Sequence, residues 1–386
     1  MGLMGPLWPL RPLGLLGLLG MMGLSGCSSD SEEPAQRSSD VGGVLGAAVE
    51  VTGYVLRYDE NTSMTRSWTP PSGYSLYGED GKTIGIGFTQ NGSEPQMGYF
   101  FKSSGKWRTN VEISAGTYQL YGYVPHTSGM ACTLTDLADG TASFSSGAKM
   151  TLTNVPAITP SDLCVVIGAK AGTDKETVEG LRSGDFDYMA TEIRDGDEVE
   201  GNYVFLLFDH LYAALRINMR VHSEYDALRA IVLKSLRLST AVNTSPSKDM
   251  TDIVVSLEKT DGTDPGESPI TDISFEPKGS ENEDGMEFWS SAGDALTTSY
   301  NTYIAHFMPQ DITTLILTSV YDVYDKKGNL IRKDATARNT MRLSDLLTGQ
   351  ETTRRGSRYT INMTIRPTYL YVLSEPDLDS PAVTIE

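Results

Sequence analysis

The chain has 386 residues, of which 39% are hydrophobic and 21% are charged, as in ordinary globular proteins. Its formal net charge at pH 7 is −19, because it has 31 basic residues and 50 acidic ones. This charge argues against nucleic acids and anionic lipid surfaces as partners, since both prefer basic proteins. We interpret the excess of acidic residues as a means of keeping the protein soluble.

The N-terminal segment has the pattern of a removed export signal. A short apolar stretch rich in Gly, Leu and Met follows Arg11 and ends in Leu24-Ser25-Gly26-Cys27. This order of residues is typical of bacterial lipoproteins, in which the cysteine is acylated and becomes the first residue of the mature chain. We predict that residues 1–26 are the signal peptide and that the lipid on Cys27 anchors the protein to a membrane. The alternative is a plain secretory signal in which Cys27 has no such role.

A polar segment follows the signal peptide, and a long region with β-strand patterns follows that segment. Residues 27–43 are acidic and lack periodicity, which predicts a tether. From residue 44 onward, short runs of alternating apolar and polar residues lie between turn residues, which predicts β-strands. The candidates in the first half are 49–56, 83–89, 99–102, 117–124, 148–152 and 163–168.

An acidic, Gly-containing segment at 194–202 divides the β pattern, so we predict domains at 44–201 and 202–386. The second half begins with the apolar run 203–208 and has an expected hairpin turn at 325–329. Its strand candidates are 203–208, 231–239, 252–258, 302–308, 315–324, 330–333 and 359–373. Short helical turns are expected only at 224–229 and 343–347. Many short strands between turns predict an all-β fold of sandwiches or barrels.

The sequence offers no motif for catalysis or metal binding. Its four histidines lie far apart, and none has another His or a Cys at the spacing of zinc ligands. No Gly-x-Ser-x-Gly motif occurs. Acidic pairs such as Asp195 and Asp197 could serve glycoside hydrolysis or bind calcium, but chance among 50 acidic residues explains them. We predict no enzyme, no metal site and no cofactor.

Two cysteines remain once Cys27 is assigned to lipidation. Cys132 and Cys164 are 32 residues apart, and an oxidising compartment would allow a disulfide between them. Such a bridge would stabilise the fold by roughly 3–4 kcal/mol. The alternative is two buried thiols that pack as small apolar groups.

Several phrases of the mature chain resemble the fimbrillin family, the type V pilins of Bacteroidetes-type bacteria. They are Tyr203–His210, Phe307–Gln310, Tyr321–Asn329 and Gly356–Ile365. The resemblance implies two tandem β-sandwich domains of transthyretin-like topology and a structural or adhesive role in fimbriae at the outer membrane surface. The implied partners are other fimbrial subunits; the sequence does not indicate a receptor.

The resemblance also implies a route of assembly. In the family an arginine-specific protease cuts after the first strand, which leaves with the lipid, and a strand of the next subunit fills the groove. Here the first strand would be Val44–Tyr58, and the cut would lie between Arg66 and Ser67, with Arg57 as the alternative. Anchor subunits of such pili keep their lipid and are not cut.

The expected donor arm is 367–386, with strands at Thr368–Leu373 and Ala382–Ile385 and a turn at Ser374–Pro381. The alternative is that these are two closing strands of the second domain.

A glycan-binding surface lipoprotein of a nutrient-uptake system is the main rival interpretation. Such a protein would keep its lipid, stay monomeric and present exposed aromatic side chains. Trp68, Trp107 and Trp289 suit sugar stacking or core packing, and we favour core packing.

Overall fold

The sequence pattern of short alternating strands becomes four β-sheets in the computed structural model of the chain. The structure describes residues 50–55, 76–77, 83–89, 95–103, 106–110, 116–135, 148–172, 190–193, 203–257, 270–346, 353–369 and 376–385.

The strands before the expected domain boundary are β1 (Glu50–Val55), β2 (Leu76–Tyr77), β3 (Ile84–Thr89), β4 (Gln96–Ser103), β5 (Lys106–Thr109), β6 (Gly116–Val124), β7 (Ala131–Thr135), β8 (Ala148–Pro156), β9 (Ile158–Thr159), β10 (Cys164–Gly172) and β11 (Ala190–Ile193).

The strands after that boundary are β12 (Tyr203–His210), β13 (Ala213–Val221), β14 (Arg229–Val242), β15 (Ser245–Pro246), β16 (Lys248–Leu257), β17 (Ile270–Glu281), β18 (Met286–Leu296), β19 (Asn301–Phe307), β20 (Thr314–Asp325), β21 (Leu330–Arg342), β22 (Arg358–Tyr369) and β23 (Pro376–Ile385).

Within the described ranges, helix is confined to two single turns, near the positions that the sequence predicts. They are α1 (Ser223–Asp226) and α2 (Leu343–Leu346). The side chain of His222 caps α1 by accepting a hydrogen bond from the Glu224 amide. Among the described residues, neither helix has the length and apolar character that crossing a membrane requires. The all-β prediction is confirmed.

A nine-stranded sheet and a four-stranded sheet form the first sandwich. The nine-stranded sheet has the order β2-β1-β12-β10-β6-β3-β4-β5, with β11 paired to β6, and the four-stranded sheet has the order β17-β16-β8-β7. Tyr121, Val165 and Phe205 of the first sheet pack against Met150 and Val255 of the second in one apolar core. The opposite face of the nine-stranded sheet carries a separate core that includes Phe88 and Phe100.

Two five-stranded sheets form the second sandwich. Their orders are β23-β22-β13-β19-β9 and β15-β14-β20-β21, with β18 paired to β14 in the latter. Leu215, Phe307 and Ile361 of the first pack against Leu236 and Leu317 of the second. Along β13, alternate side chains from Leu215 onward enter this core, as the period of two in the sequence predicts.

Strand pairing crosses the predicted domain boundary at 201 and 202. β12 follows that boundary, yet it lies between β1 and β10 in the nine-stranded sheet. β16 also follows it, yet β16 pairs with β8, from Met250 opposite Pro156 to Leu257 opposite Ala148. The first sandwich therefore takes strands from both halves of the sequence, and residues 201 and 202 do not separate the two sandwiches. Transthyretin-like topology stays a prediction.

The hairpin predicted at 325–329 joins β20 to β21. The Asp325 carboxylate accepts hydrogen bonds from the backbone amides of Lys327 and Asn329, each at 2.8 Å, and from the Asn329 side chain. These contacts, led by the one from the Asn329 side chain, lower the pKa of Asp325 below its ordinary value.

The lowered pKa predicts a pH-dependent contribution of Asp325 to stability. A carboxyl group with a depressed folded pKa stabilises the fold above its ordinary pKa near 3.8, and this contribution disappears as pH falls through the folded value. Wild type should therefore be more stable than Asp325→Asn at pH 6, and the difference should shrink below about pH 4. Urea unfolding at pH 6, 4 and 3 measures it; a constant difference would contradict the assignment.

Candidate functional site

β1 lies near one end of the nine-stranded sheet, where β12 is its main partner. β1 runs parallel to β12, in register from Glu50 opposite Tyr203 to Val55 opposite Phe208. On its other side, the described residues of β1 pair with the two-residue strand β2. Residues 56–75 between β1 and β2 lie outside the described residues. Removal of β1 would therefore expose the backbone edge of β12.

β12 is buried on both faces. Val204, Leu206 and Phe208 belong to one core, whereas Phe205 and Leu207 belong to the core shared with the four-stranded sheet. All five side chains are at most 4% exposed. This explains the unbroken apolar run that the sequence shows. An open edge on such a strand is a strong template for pairing with another strand.

β23 is a terminal strand of the second sandwich and lies within the predicted donor arm. It ends the five-stranded sheet with the order β23-β22-β13-β19-β9. It pairs antiparallel with β22, from Met363 opposite Ile385 to Tyr369 opposite Pro376. The structure thus corrects the predicted turn at Ser374–Pro381, since β23 begins at Pro376. The register shifts between Arg366 and Thr368, and residues 378–381 of β23 have no partner in it. Pro367 and Pro381 lie at this irregularity, where a missing amide hydrogen is tolerated.

Four of the predicted site residues lie outside the described residues. They are Cys27, Arg57, Arg66 and Ser67. Of the predicted first strand Val44–Tyr58, the structure describes Glu50–Val55. The lipidation and cleavage sites stay predictions.

No disulfide joins Cys132 to Cys164 in this structure, so the bridge considered from the sequence does not form here. Cys164 belongs to the core on one face of the nine-stranded sheet, whereas Cys132 packs against the core on the opposite face. The sheet separates the two sulfur atoms. Burial raises the pKa of the Cys132 thiol to about 12, so this thiol stays protonated at neutral pH.

A buried polar cluster lies at the end of β12, beside Cys164. His210 Nδ1 is 2.7 Å from Asp162 Oδ2 and 3.6 Å from Cys164 Sγ. Next to it, Arg355 Nη1 donates to Asp209 Oδ2 at 2.7 Å and to the His210 carbonyl at 3.2 Å. Asp162, Cys164, Asp209 and His210 are all at least nine-tenths buried.

This cluster could not be found from sequence spacing. His210 and Cys164 are 46 residues apart, but β10 and β12 are neighbours and place these two residues directly opposite each other. The cluster does not have the geometry of a Cys–His–Asp catalytic triad. In a triad the nucleophile and the carboxylate contact different ring nitrogens, whereas here both approach Nδ1.

One of the three tryptophans considered for sugar stacking has a core role. Trp289 packs against the core of the second sandwich and meets Tyr303 edge to face, with ring centroids 4.8 Å apart. Trp68 and the side chain of Trp107 lie outside the part of the chain that the structure describes.

No protein-family model matches the chain, and no curated protein matches it. Among solved structures, 27 chains match. A protein of Bacteroides uniformis assigned to cell adhesion is 12% identical, with a TM-score of 0.32, and the match covers 88% of this chain and 98% of that one. A fimbrial protein of Bacteroides vulgatus is also 12% identical, with the same coverage and a TM-score of 0.31.

A fimbrial anchor protein of Porphyromonas gingivalis is 11% identical, with a TM-score of 0.24, and the match covers 87% of this chain and 96% of that one. A matching Bacteroides thetaiotaomicron structure is assigned to polysaccharide binding. At these identities and TM-scores the likenesses are too distant to fix the function of this chain.

Proposed function

We propose that this chain is a structural and adhesive subunit of cell-surface fimbriae. It is exported as a lipoprotein, held at the outer membrane through Cys27, and assembled with other fimbrial subunits by protease-triggered strand exchange. It has no catalytic role. The observation that carries the proposal is the position of β1. It is a strand near the sheet end that covers the edge of β12, a strand buried from Val204 to His210.

The position of β1 explains why assembly would need a trigger. β1 pairs with β12 over six consecutive residues, so its release costs a ladder of backbone hydrogen bonds. While the chain is intact, a released β1 stays tethered and returns at once, because its effective concentration is high. A cut between β1 and β2 removes this tether and lets a strand of another subunit compete for the edge of β12.

The donor in this proposal is the C-terminal arm, residues 367–386. β23 ends a sheet, pairs with one neighbour and has an irregular register, so fewer contacts hold it than hold an inner strand. When β23 leaves β22 in its own subunit and pairs with β12 of the next, it loses one set of backbone hydrogen bonds and gains another.

The first experiment treats the purified chain with an arginine-specific protease and follows SDS-resistant ladders on gels. Wild type should form ladders after the cut, and its new N-terminus should be Ser67. Arg66→Ala should stay monomeric, whereas the matched variant Arg57→Ala should assemble like wild type. A lysine-specific protease should not start assembly.

Two results would count against this proposal, and a third would move the cut to the alternative site. If cut wild type stays monomeric, strand exchange is excluded. If Arg57→Ala blocks assembly and Arg66→Ala does not, the cut lies at the alternative site. If native cells hold only the uncut lipoprotein and the purified protein binds polysaccharides as a monomer, the glycan-binding function replaces the fimbrial one.

A further inference from the structure

The cluster of Asp162, Cys164 and His210 has no part in the assembly scheme. One ligand atom from each residue lies within 4.8 Å of the other two: a carboxylate oxygen, a thiol sulfur and an imidazole nitrogen. We propose that these three residues bind a zinc-like divalent metal ion that stabilises the nine-stranded sheet.

The chemical types of the three donor atoms are those that zinc accepts. Thiolate and imidazole are the usual ligands of structural zinc, and carboxylate is also accepted. Calcium and magnesium prefer oxygen atoms alone, so this set disfavours them. A solvent molecule would complete the tetrahedron.

The spacing of the donors is close to what a tetrahedral ion needs. Zinc–sulfur and zinc–nitrogen bonds of about 2.3 and 2.0 Å place sulfur and nitrogen about 3.5 Å apart. The distance from Cys164 Sγ to His210 Nδ1 is 3.6 Å. Asp162 Oδ2 and His210 Nδ1 are now at hydrogen-bond distance, 2.7 Å. The ion would replace the proton between them, and the carboxylate would move outward by about 0.6 Å to reach a normal zinc–oxygen bond.

Charge balance favours the ion in this buried place. Cys164 is fully buried and the His210 side chain is 2% exposed, so a net charge there would be costly. A divalent cation with one thiolate, one carboxylate and a neutral imidazole has no net charge. The neighbouring pair of Asp209 and Arg355 is neutral by itself. The Asp162 side chain, 11% exposed, is the most open of the three and marks the side from which an ion enters.

The sheet holds the three ligands in place before any ion arrives. Cys164 and His210 are register partners on adjacent strands, and the Leu211 amide donates to the Leu163 carbonyl beside them. Asp162 precedes Cys164 by two residues, the spacing that puts side chains on one face of an extended chain. A preorganised site loses little conformational entropy when the ion binds.

The test is a Co²⁺ and Zn²⁺ titration of the full chain after dialysis against a chelator. Co²⁺ bound to a thiolate in tetrahedral geometry gives a near-ultraviolet charge-transfer band and intense visible bands. We expect these bands at one equivalent, their loss when Zn²⁺ displaces Co²⁺, and a higher Tm with Zn²⁺. Binding should weaken as pH falls, because the thiol must release its proton.

Cys132 provides the matched control, since it is a second thiol in the same sandwich. The double variant Cys27→Ser/Cys132→Ser should keep the bands, and adding Cys164→Ser should abolish them. His210→Gln and Asp162→Asn should each weaken binding at least about 10-fold, with the fold checked by near-ultraviolet circular dichroism. If wild type binds no ion at micromolar Co²⁺, or if the bands depend on Cys27 or Cys132, the site does not exist. These titrations use uncut monomer, so their outcome is independent of fimbrial assembly.

Discussion

Replacing Arg355 with alanine should lower the free energy of unfolding by about 3–5 kcal/mol, because it leaves a buried carboxylate without its charged partner. The Asp209 side chain is completely buried and accepts from Arg355 at 2.7 Å. Its other oxygen accepts from the His210 amide. These contacts offset part of the desolvation cost of this carboxylate, and Arg355 supplies an opposite charge directly against it.

Urea unfolding followed by tryptophan fluorescence measures the loss. Arg338→Ala is the matched control: this arginine is exposed and makes one long hydrogen bond, so the change should stay within about 0.5 kcal/mol. The double variant Asp209→Leu/Arg355→Met should lose less than Arg355→Ala, because no buried charge remains. Equal effects of Arg355→Ala and Arg338→Ala would show that the pair contributes little.

Deleting residues 382–386 should abolish assembly of the cut chain while leaving the monomer folded. The deletion removes four of the six register pairs between β23 and β22. The truncated monomer keeps β22, β13 and β19 and the facing sheet, whose buried side chains form the core described for the second sandwich. The deletion also removes the predicted terminal strand of the donor arm, Ala382–Ile385, on which we expect pairing with β12 to depend.

The truncated chain also offers a sharper assay than loss of ladders alone. It still has β12, so after cleavage it should accept a donor strand but provide none. Added in excess to cut wild type, it should therefore cap growing polymers and shorten the SDS-resistant ladder. If the truncated protein forms ladders by itself, the C-terminal arm is not the donor. If it neither polymerises nor caps, the acceptor assignment fails as well.

The sequence by itself predicted those features that depend on neighbouring residues. Alternation identified most strands within a few residues, because the side-chain period of two reports which face each residue takes. The turn Asp325–Asn329 was predictable since its hydrogen bonds join residues four or fewer positions apart. β17 was missed because most of its side chains are polar and exposed. β18 was missed because four consecutive exposed residues, 290–293, interrupt any apolar alternation.

Only the tertiary structure decided which strands are neighbours. The run 203–208 predicted a buried strand, but nothing local assigned it to the first sandwich beside β1 and β10. The same pairing brings Cys164 opposite His210 and keeps Cys132 on the other face of the sheet. Alternation gives the face of a residue and not its partner, because partners are chosen by pairing and packing between segments distant in sequence. That is why the fold class followed from the sequence, while the strand order, the separation of Cys132 from Cys164 and the buried cluster required the structure.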